Sequence, residues 1–342
     1  MRHALHTAAL SLLLLAYVTT SSVLDEADPE LVRQFADIVR REYLAVGIRV
    51  SLHPQIDLAT EPRWPRISGT FGEDAQITAA LTRAYIEGFQ GKQLGPQSVA
   101  CMTKHFPGGG PQNTGLDPHF EFQKGQIYPG GNFDYHLIPF EAAFEAQTAA
   151  IMPYYGVPVN QTDENVAMSF NKAIITGLLR QQYRYDGVVC TDWGLITDAY
   201  FPDVVWPARA WGVEHLSAAQ RVKKALDAGV DQFGGESCPE LVVELVEESL
   251  VSEARLDQSV RRLLRLKFQL GLFDNPFVDP ALVPQVFGLP AAVSPSPAPA
   301  SGLRSRRPCW SRSPICCTWT TSSCVTGTAM PGCSPGTITP LV

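Results

Sequence analysis

Apolar positions between residues 28 and 277 repeat with two alternating periods. A spacing of three and four residues predicts helices over 31–45, 74–90, 139–149, 172–183, 217–229, 239–250 and 252–271. Short apolar runs between these segments predict buried strands within 47–58, 98–106, 150–155, 187–193 and 230–233. Ser252 is the predicted N-cap of the last helix, and Gly271 ends that helix. The sequence therefore predicts a series of strand–helix units.

Strands that alternate with helices are typical of a parallel sheet. The sequence has neither a G-x-G-x-x-G after its first strand nor a G-x-x-x-x-G-K-[ST] loop, which disfavours dinucleotide-binding and P-loop folds. We predict the α/β class and a (β/α)8 TIM-like barrel over residues 28–277. Because only five strands are visible, we expect an incomplete barrel with its first strands missing and an irregular C-terminal tail.

Residues 1–22 depart from this pattern. One Arg and two His precede an apolar run from Ala8 to Val18, and small polar residues follow. This order resembles a secretory signal peptide, and the alternative is a misassigned start. A genuine signal would make the protein secreted, and otherwise we expect it in the cytoplasm. The run is shorter than the about 20 apolar residues of a transmembrane helix, so no membrane association is predicted.

Residues 291–342 have a composition of their own. They contain no Asp, Glu or Lys, and they hold five of the eight Cys and eight of the 27 Pro. We interpret them as a low-complexity segment rich in Cys, Pro and Ser, either disordered or out of frame. Without their four Arg, the other 290 residues carry 34 acidic and 23 basic side chains, a balance of −11 against −7 for the whole chain. This acidic balance argues against a nucleic-acid partner.

Three cysteines remain outside that tail, namely Cys101, Cys190 and Cys238. Their wide spacing, without a C-x-x-C pair, favours buried thiols over zinc ligands. No cluster of His, Asp and Glu has ligand spacing either. We therefore predict no metal and no cofactor.

Polar side chains follow the predicted strands, where a barrel places its chemistry. Lys104 and His105 come where the second strand ends, and they suit a substrate with hydroxyl or phosphate groups. Asp192 follows the apolar run of the fourth strand, and a carboxylate buried there needs a cationic partner to stay ionised. An ionised Asp can act as a nucleophile, and the neighbouring Trp193 offers a flat face to a sugar ring.

The order of these motifs resembles one known family. EPRWPR at 61–66, SGTFGED at 68–74, KHFPGGGP at 104–111, IMPYY at 151–155 and GVVCTDWG at 187–194 are similar to the N-terminal catalytic domain of glycoside hydrolase family 3. The resemblance covers about residues 28–277. It implies a β-glucosidase-like exo-glycosidase of the retaining type, which hydrolyses terminal β-O-glycosidic bonds of a small oligosaccharide or glycoside.

The resemblance also implies roles for single residues. It makes Asp192 the nucleophile and Tyr155 a residue that supports it. It assigns Lys104, His105 and Arg66 to the hydroxyl groups of the sugar, and Trp193 to stacking on the ring. A retaining glycosidase works with two carboxyl groups about 5–5.5 Å apart, one as nucleophile and one as acid and base.

Three departures from the family pattern lead us to expect a chain truncated at both ends. The signal-like segment stands where family members carry upstream strands with a sugar-binding Asp. The recognisable part ends near Asp279, before the second domain that commonly supplies the acid/base Glu. Pro65 replaces the commoner Gly in the loop that presents Arg66, and its ring restricts that loop.

Several alternatives stay open at this stage. Asp117 and His119 have the Asp-x-His spacing of the family's β-N-acetylhexosaminidases, which makes them a possible acid/base pair. They could equally form a loop-packing pair that holds Tyr128 or Phe133. The chain could also be a non-catalytic sugar-binding remnant, or a barrel lyase with Lys104 as a Schiff base. Glucose is the commonest sugar of the family, and xylose and N-acetylglucosamine are the alternatives.

Overall fold

The computed structural model describes residues 28–120 and 125–287. The predictions for residues 1–22 and 291–342 lie outside these ranges. In the described part the predicted strand–helix alternation is confirmed, with element ends shifted by a few residues. No helix of residues 28–120 or 125–287 has the length and apolar character needed to cross a membrane.

Eight α- or π-helices are numbered here in chain order within the described part. They are α1 Pro29–Ala45, α2 Ala75–Gln90, α3 Ile138–Glu145, α4 Ala173–Gln182, α5 Ala218–Ala228, α6 Pro239–Glu247, α7 Glu253–Gln269 and the short α8 Val283–Val286. The hydrogen bonds of α4 follow the π-helical pattern. Ser252 caps α7 as predicted, since its side chain accepts a hydrogen bond from the backbone N–H of Arg255. Gly271 follows the helix with a φ of 70°.

Four of the strands form one parallel sheet. The strands are β1 Val50–Ser51, β2 Ala100–Phe106, β3 Gly125–Gln126, β4 Ala150–Pro153, β5 Val157–Pro158, β6 Val188–Val189, β7 Ala199–Phe201 and β8 Val204–Trp206. The sheet has the order β1-β2-β4-β6. Of the fifth predicted strand, 230–233, the structure forms a single parallel bridge from Gln232 to Cys190 next to β6. Chain order equals spatial order, as in a (β/α) barrel.

Apolar side chains cover both faces of this sheet. On one face, Cys101, Ile151 and Val189 join the large core formed with the helices α1 to α5. On the other face, alternate residues of the same strands form a smaller cluster against Leu263 and Leu266 of α7. The predicted burial of Cys101 and Cys190 is confirmed, and burial raises the pKa of both thiols. The same prediction is wrong for Cys238, which is only partly buried.

Two further strand pairs were not predicted. The strand β3 pairs with β5 in parallel, and β7 pairs with β8 as an antiparallel hairpin. Both pairs lie in the segments that follow the main strands. Segments of two or three residues are too short to show a period in the sequence, which explains why they were missed.

Candidate active site

The carboxyl ends of the parallel strands bring the predicted site residues to one edge of the sheet. Lys104 and His105 lie near the end of β2, Tyr155 lies just beyond β4, and Asp192 follows β6. The ladder pairs Lys104 with Met152 and skips His105. Such a bulge re-aims a side chain, which lets two consecutive residues of one strand face the same site.

The predicted nucleophile Asp192 is almost fully buried, with 8% of its surface exposed. Its Oδ1 atom accepts hydrogen bonds from the Tyr155 hydroxyl at 3.0 Å and from the Trp193 backbone N–H at 2.8 Å. Its Oδ2 atom lies 3.6 Å from His105 Nε2. Two donors thus hold one carboxylate oxygen, and the other oxygen faces the imidazole.

A second carboxylate, that of Asp57, lies fully buried on the other side of His105. Its Oδ2 atom accepts from His105 Nδ1 at 2.7 Å, and its Oδ1 atom accepts from the backbone N–H groups of His105 at 3.2 Å and Gly109 at 2.5 Å. Burial raises the pKa of Asp57 to about 6, against the opposing effects of these N–H groups and of Arg66.

The His105 imidazole is held neutral. Burial and the positive charges of Arg66 and Lys104 hold its pKa well below the usual value. Because Asp57 accepts the proton on Nδ1, the Nε2 atom presents a lone pair, and it has no hydrogen-bond partner among the described residues. This atom is therefore positioned to accept a hydrogen bond from a ligand hydroxyl.

Arg66 and Lys104 bring positive charge to the same place. Arg66 donates to the Tyr154 hydroxyl at 3.2 Å and to Gln55 Oε1 at 3.4 Å, and its guanidinium lies 5.6 Å from the centre of the Tyr154 ring. Burial lowers the pKa of Lys104, and the carboxylate of Asp192 acts in the opposite direction. Both cations lie near the carboxylates that stabilise them.

The structure also brings Asp117 and His119 into the site. Oδ1 of Asp117 accepts from the ring Nδ1 and from the backbone N–H of His119. Its Oδ2 accepts from the Trp64 indole at 2.7 Å and from the Tyr154 hydroxyl at 2.9 Å. The His119 ring lies 4.5 Å from the ring of Tyr155, which itself bonds the predicted nucleophile.

These contacts differ from those of a loop-packing pair. Tyr128 packs on Phe133 with their ring centres 5.1 Å apart, and no contact of the dyad with either ring is seen in the described residues. Burial tends to raise the pKa of Asp117, but hydrogen bonds from His119 and Trp64 dominate and hold it below the usual range. Asp117 is thus an anion beside the half-exposed His119 ring.

Trp193 is 40% exposed, and its indole lies on two glycines of the segment after the fifth strand. A Cβ atom on Gly235 would lie 2.1 Å from Trp193 Cδ1, and one on Gly234 would lie 2.7 Å from Trp193 Cε3. The next residue, Glu236, accepts hydrogen bonds from Ile196 N–H at 2.7 Å and from the Thr197 hydroxyl at 2.6 Å. The glycines therefore support the indole, and Glu236 ties their segment to the one that follows Trp193.

The sequence analysis missed several of these residues. Asp57 lies in PQIDL, near the end of the first predicted strand segment 47–58, and the rule that singled out Asp192, a carboxylate after an apolar run, applies to it equally. Tyr154 and Trp64 lie in the quoted motifs IMPYY and EPRWPR, but the sequence analysis assigned neither residue a role. Arg209, which donates to the backbone carbonyls of His119 and Trp193, lies far along the chain from His119, and nothing in the sequence marked it.

A parallel α/β barrel with carboxylates, cations and an exposed Trp at its strand ends has the architecture of a barrel glycosidase domain. The sequence model of the "Glycosyl hydrolase family 3 N terminal domain" matches residues 19–266, and the chain belongs to this family.

Two relatives agree with this assignment. Beta-glucosidase C of Emericella nidulans is 59% identical over 262 residues, which cover 76% of this chain and 42% of that protein. A periplasmic beta-glucosidase/beta-xylosidase of Dickeya chrysanthemi is 46% identical, with the same two coverages. The chain thus spans about two fifths of the length of these relatives.

Solved structures show the same fold. A β-glucosidase from Erythrobacter marinus matches with a TM-score of 0.64 and 28% identity, over 75% of this chain and 32% of that one. A Listeria innocua β-glucosidase variant in complex with laminaribiose matches with a TM-score of 0.61 and 26% identity, over 73% and 33%.

Proposed function

We propose that this chain forms the barrel domain of a retaining β-glucosidase, which hydrolyses terminal β-O-glucosidic bonds. The observation that carries the proposal is the hydrogen-bonded Asp192. Tyr155 and the Trp193 N–H hold its Oδ1 atom, which leaves Oδ2 to react. The β-glucosidase names of relatives at 59% and 46% identity support glucose as the sugar, and one of those names includes xylose as well.

In the first step, Asp192 Oδ2 attacks the anomeric carbon and the bond to the leaving-group oxygen breaks. The product is a glucosyl ester on Asp192, and a proton donor neutralises the departing oxygen. In the second step, water attacks the same carbon and gives a proton back to the group that donated one in the first step, which releases glucose and restores the Asp192 carboxylate. Two displacements retain the β configuration.

In this proposal the sugar is bound by the residues around the two cations of the site. Lys104 and Arg66 donate hydrogen bonds to hydroxyl groups, and the Nε2 lone pair of His105 accepts one. The proposal thereby refines the expectation for His105, because a neutral ring bonded to Asp57 through Nδ1 offers an acceptor. Trp193 offers its exposed face to the ring.

We further propose His119 as the proton donor within this chain. Asp117 is fixed as an anion by Trp64 and Tyr154, and it holds the Nδ1 atom of the partly exposed His119 ring, which orients that ring for proton transfer. The family pattern commonly takes this role from a Glu of a second domain. A variant of His119 separates the two sources.

The dyad is tested with leaving groups of different acidity. His119→Gln should retain kcat/KM for 2,4-dinitrophenyl β-glucoside, whose leaving group needs no proton, and should lower kcat/KM for phenyl β-glucoside about 10²-fold or more. An equal loss on both substrates would contradict the role of His119. Comparing glucosides with N-acetylglucosaminides tests the hexosaminidase-like alternative on the same protein.

The activity itself is tested by following the anomers of the sugar by proton NMR. Hydrolysis of 4-nitrophenyl β-glucoside should release β-glucose before mutarotation produces the α form. First appearance of α-glucose would contradict the double displacement. Glucose binding without any turnover would instead support the sugar-binding alternative.

A further inference from the structure

The guanidinium of Arg209 lies between two aromatic rings at the edge of the site. Its Cζ atom lies 5.3 Å from the ring centre of Tyr155 and 5.7 Å from that of Trp206. Arg66 packs in the same way on the neighbouring Tyr154, at 5.6 Å. The two arginines therefore flank the tyrosine pair, each on its own ring.

The hydrogen bonds of Arg209 join two parts of the candidate site. Its Nε atom donates to the backbone carbonyl of His119 at 3.1 Å, and its Nη1 atom donates to that of Trp193 at 3.4 Å. No carboxylate of residues 28–120 or 125–287 forms an ion pair with it. The guanidinium is half-buried, and its Nη2 amino group has no hydrogen-bond acceptor among these residues.

This position lies on the leaving-group side of the proposed reaction. The candidate proton donor His119 must lie beside the oxygen that departs, and Arg209 binds the backbone of that residue. Arg66, Lys104 and His105, which the proposed function assigns to the sugar, surround Asp57 and Tyr154 instead.

Exposed aromatic surface continues outward from Arg209. Trp206 ends the strand β8 and is 46% exposed, and Tyr200 in the paired strand β7 is 77% exposed. The hairpin is joined to the site because the Ala208 N–H donates to Asp198 at 2.8 Å and Arg209 N–H donates to the Gly194 carbonyl at 2.8 Å. A flat aromatic group can stack on such a surface.

We propose that Arg209 and Trp206 form a subsite for an aromatic leaving group that carries a carboxylate. Trp206 stacks on the ring, and the Nη2 amino group of Arg209 donates a charge-assisted hydrogen bond to the carboxylate. This inference rests on the proposed function, and it names the substrate class that this site favours. Inorganic phosphate is the other anion whose chemistry fits the guanidinium, and the experiment separates the two.

The test compares 3-carboxyphenyl β-glucoside with its neutral methyl ester. Arg209 also holds His119 and Trp193, so replacing it should slow both substrates, and the informative quantity is the ratio of their kcat/KM values. Arg209→Gln should lower the acid-to-ester ratio about tenfold relative to the original protein, as expected for a lost charge-assisted hydrogen bond. Arg83→Gln, a matched control whose partner Glu145 lies on the exterior, should leave the ratio unchanged.

A binding measurement keeps the inference testable without turnover. In calorimetric titrations with glucose present, benzoate should bind the original protein more tightly than benzamide does. Arg209→Gln should abolish that preference, and Trp206→Ala should weaken both ligands. If the proposed function is wrong, no glucoside is hydrolysed, but the difference in affinity between benzoate and benzamide still tests whether the subsite exists.

Two results would overturn the inference. An acid-to-ester ratio that Arg209→Gln leaves unchanged would show that the guanidinium does not contact the leaving group. Formation of glucose 1-phosphate from phenyl β-glucoside and inorganic phosphate, lost in Arg209→Gln, would assign the guanidinium to an attacking phosphate instead of a leaving group.

Discussion

The Asp57 carboxylate binds the Nδ1 atom of His105 at 2.7 Å, and the Nε2 atom of the same ring lies 3.6 Å from Asp192. The buried Asp57 carboxylate thereby places the imidazole proton on Nδ1, so that the nitrogen facing Asp192 carries none. Because Asp57 also accepts two backbone N–H groups, the loop at Gly109 is fixed by the same contact.

The variant Asp57→Asn tests this relationship. An amide can donate to Nδ1, which would move the imidazole proton to Nε2 and let it bond Asp192 Oδ2. We expect turnover to fall about 10²-fold through the loss of the free nucleophile oxygen, and unfolding free energy to fall by about 1–3 kcal/mol. Nitrogen NMR of the His105 ring reports the tautomer, and an unchanged tautomer would contradict the assignment.

Removing the Tyr155 hydroxyl should act mainly on chemistry. Burial and the charge of Asp192 hold the pKa of Tyr155 well above its usual value, so the phenol remains a donor to Asp192 at 3.0 Å. We expect Tyr155→Phe to lower kcat about 10-fold to 100-fold, because one charge-assisted hydrogen bond is lost, with little change in KM. A change confined to KM would place the hydroxyl in sugar binding instead. Tyr183→Phe, on the exterior beside Glu141, is the control.

The glycine beneath Trp193 can be tested against a matched glycine. Gly235 and Gly131 have φ values of 66° and 65°, but only at Gly235 would a Cβ atom meet a ring. Each change to Ala should cost roughly 1 kcal/mol of stability from backbone strain. Gly235→Ala should also displace the indole and raise KM, whereas Gly131→Ala should not. Equal kinetics for the two variants would show that the indole is not held by this glycine.

Acid should destabilise the fold through its buried histidines. Burial lowers the pKa of His53 to about 3 and that of His136 to about 4. Below pH 6.5 these two rings therefore bind protons in the unfolded chain but not in the folded chain. Each ring should lower the free energy of unfolding by about 1 kcal/mol per pH unit as the pH falls from 6.5. The raised pKa of Asp57 acts in the opposite direction between its ordinary value and about 6, and offsets part of the loss.

Urea unfolding at pH 7 and pH 5 measures this effect. The midpoint should be lower at pH 5, and His136→Gln should reduce the difference. A midpoint that stays constant, or rises at pH 5, would contradict the neutral state of these rings.

Much of this fold was predictable from the sequence because the relevant signals are local. The helices α1 to α7 follow apolar periods, and the caps at Ser252 and Gly271 need only neighbouring residues. The placement of α7 was not predictable in the same way. Its apolar positions indicate a buried face, but not which face of the sheet covers it.

The site residues also differ in whether a local sequence signal marks them. Asp192, Lys104 and His105 follow apolar strands, and the sequence marks them by position. Asp57 and Arg209 act through contacts across 48 and 90 positions of the chain, to His105 and His119, respectively. A partnership over such distances depends on the topology, so no local pattern reveals it.

The most direct test of the central claim is mass spectrometry of the chain after incubation with 2-deoxy-2-fluoro-β-glucosyl fluoride, which forms the glucosyl ester but hydrolyses slowly. We predict a single added fluoroglucosyl group on the peptide that contains Asp192, and no adduct in Asp192→Asn. A label on another residue, or the same label in Asp192→Asn, would contradict Asp192 as the nucleophile.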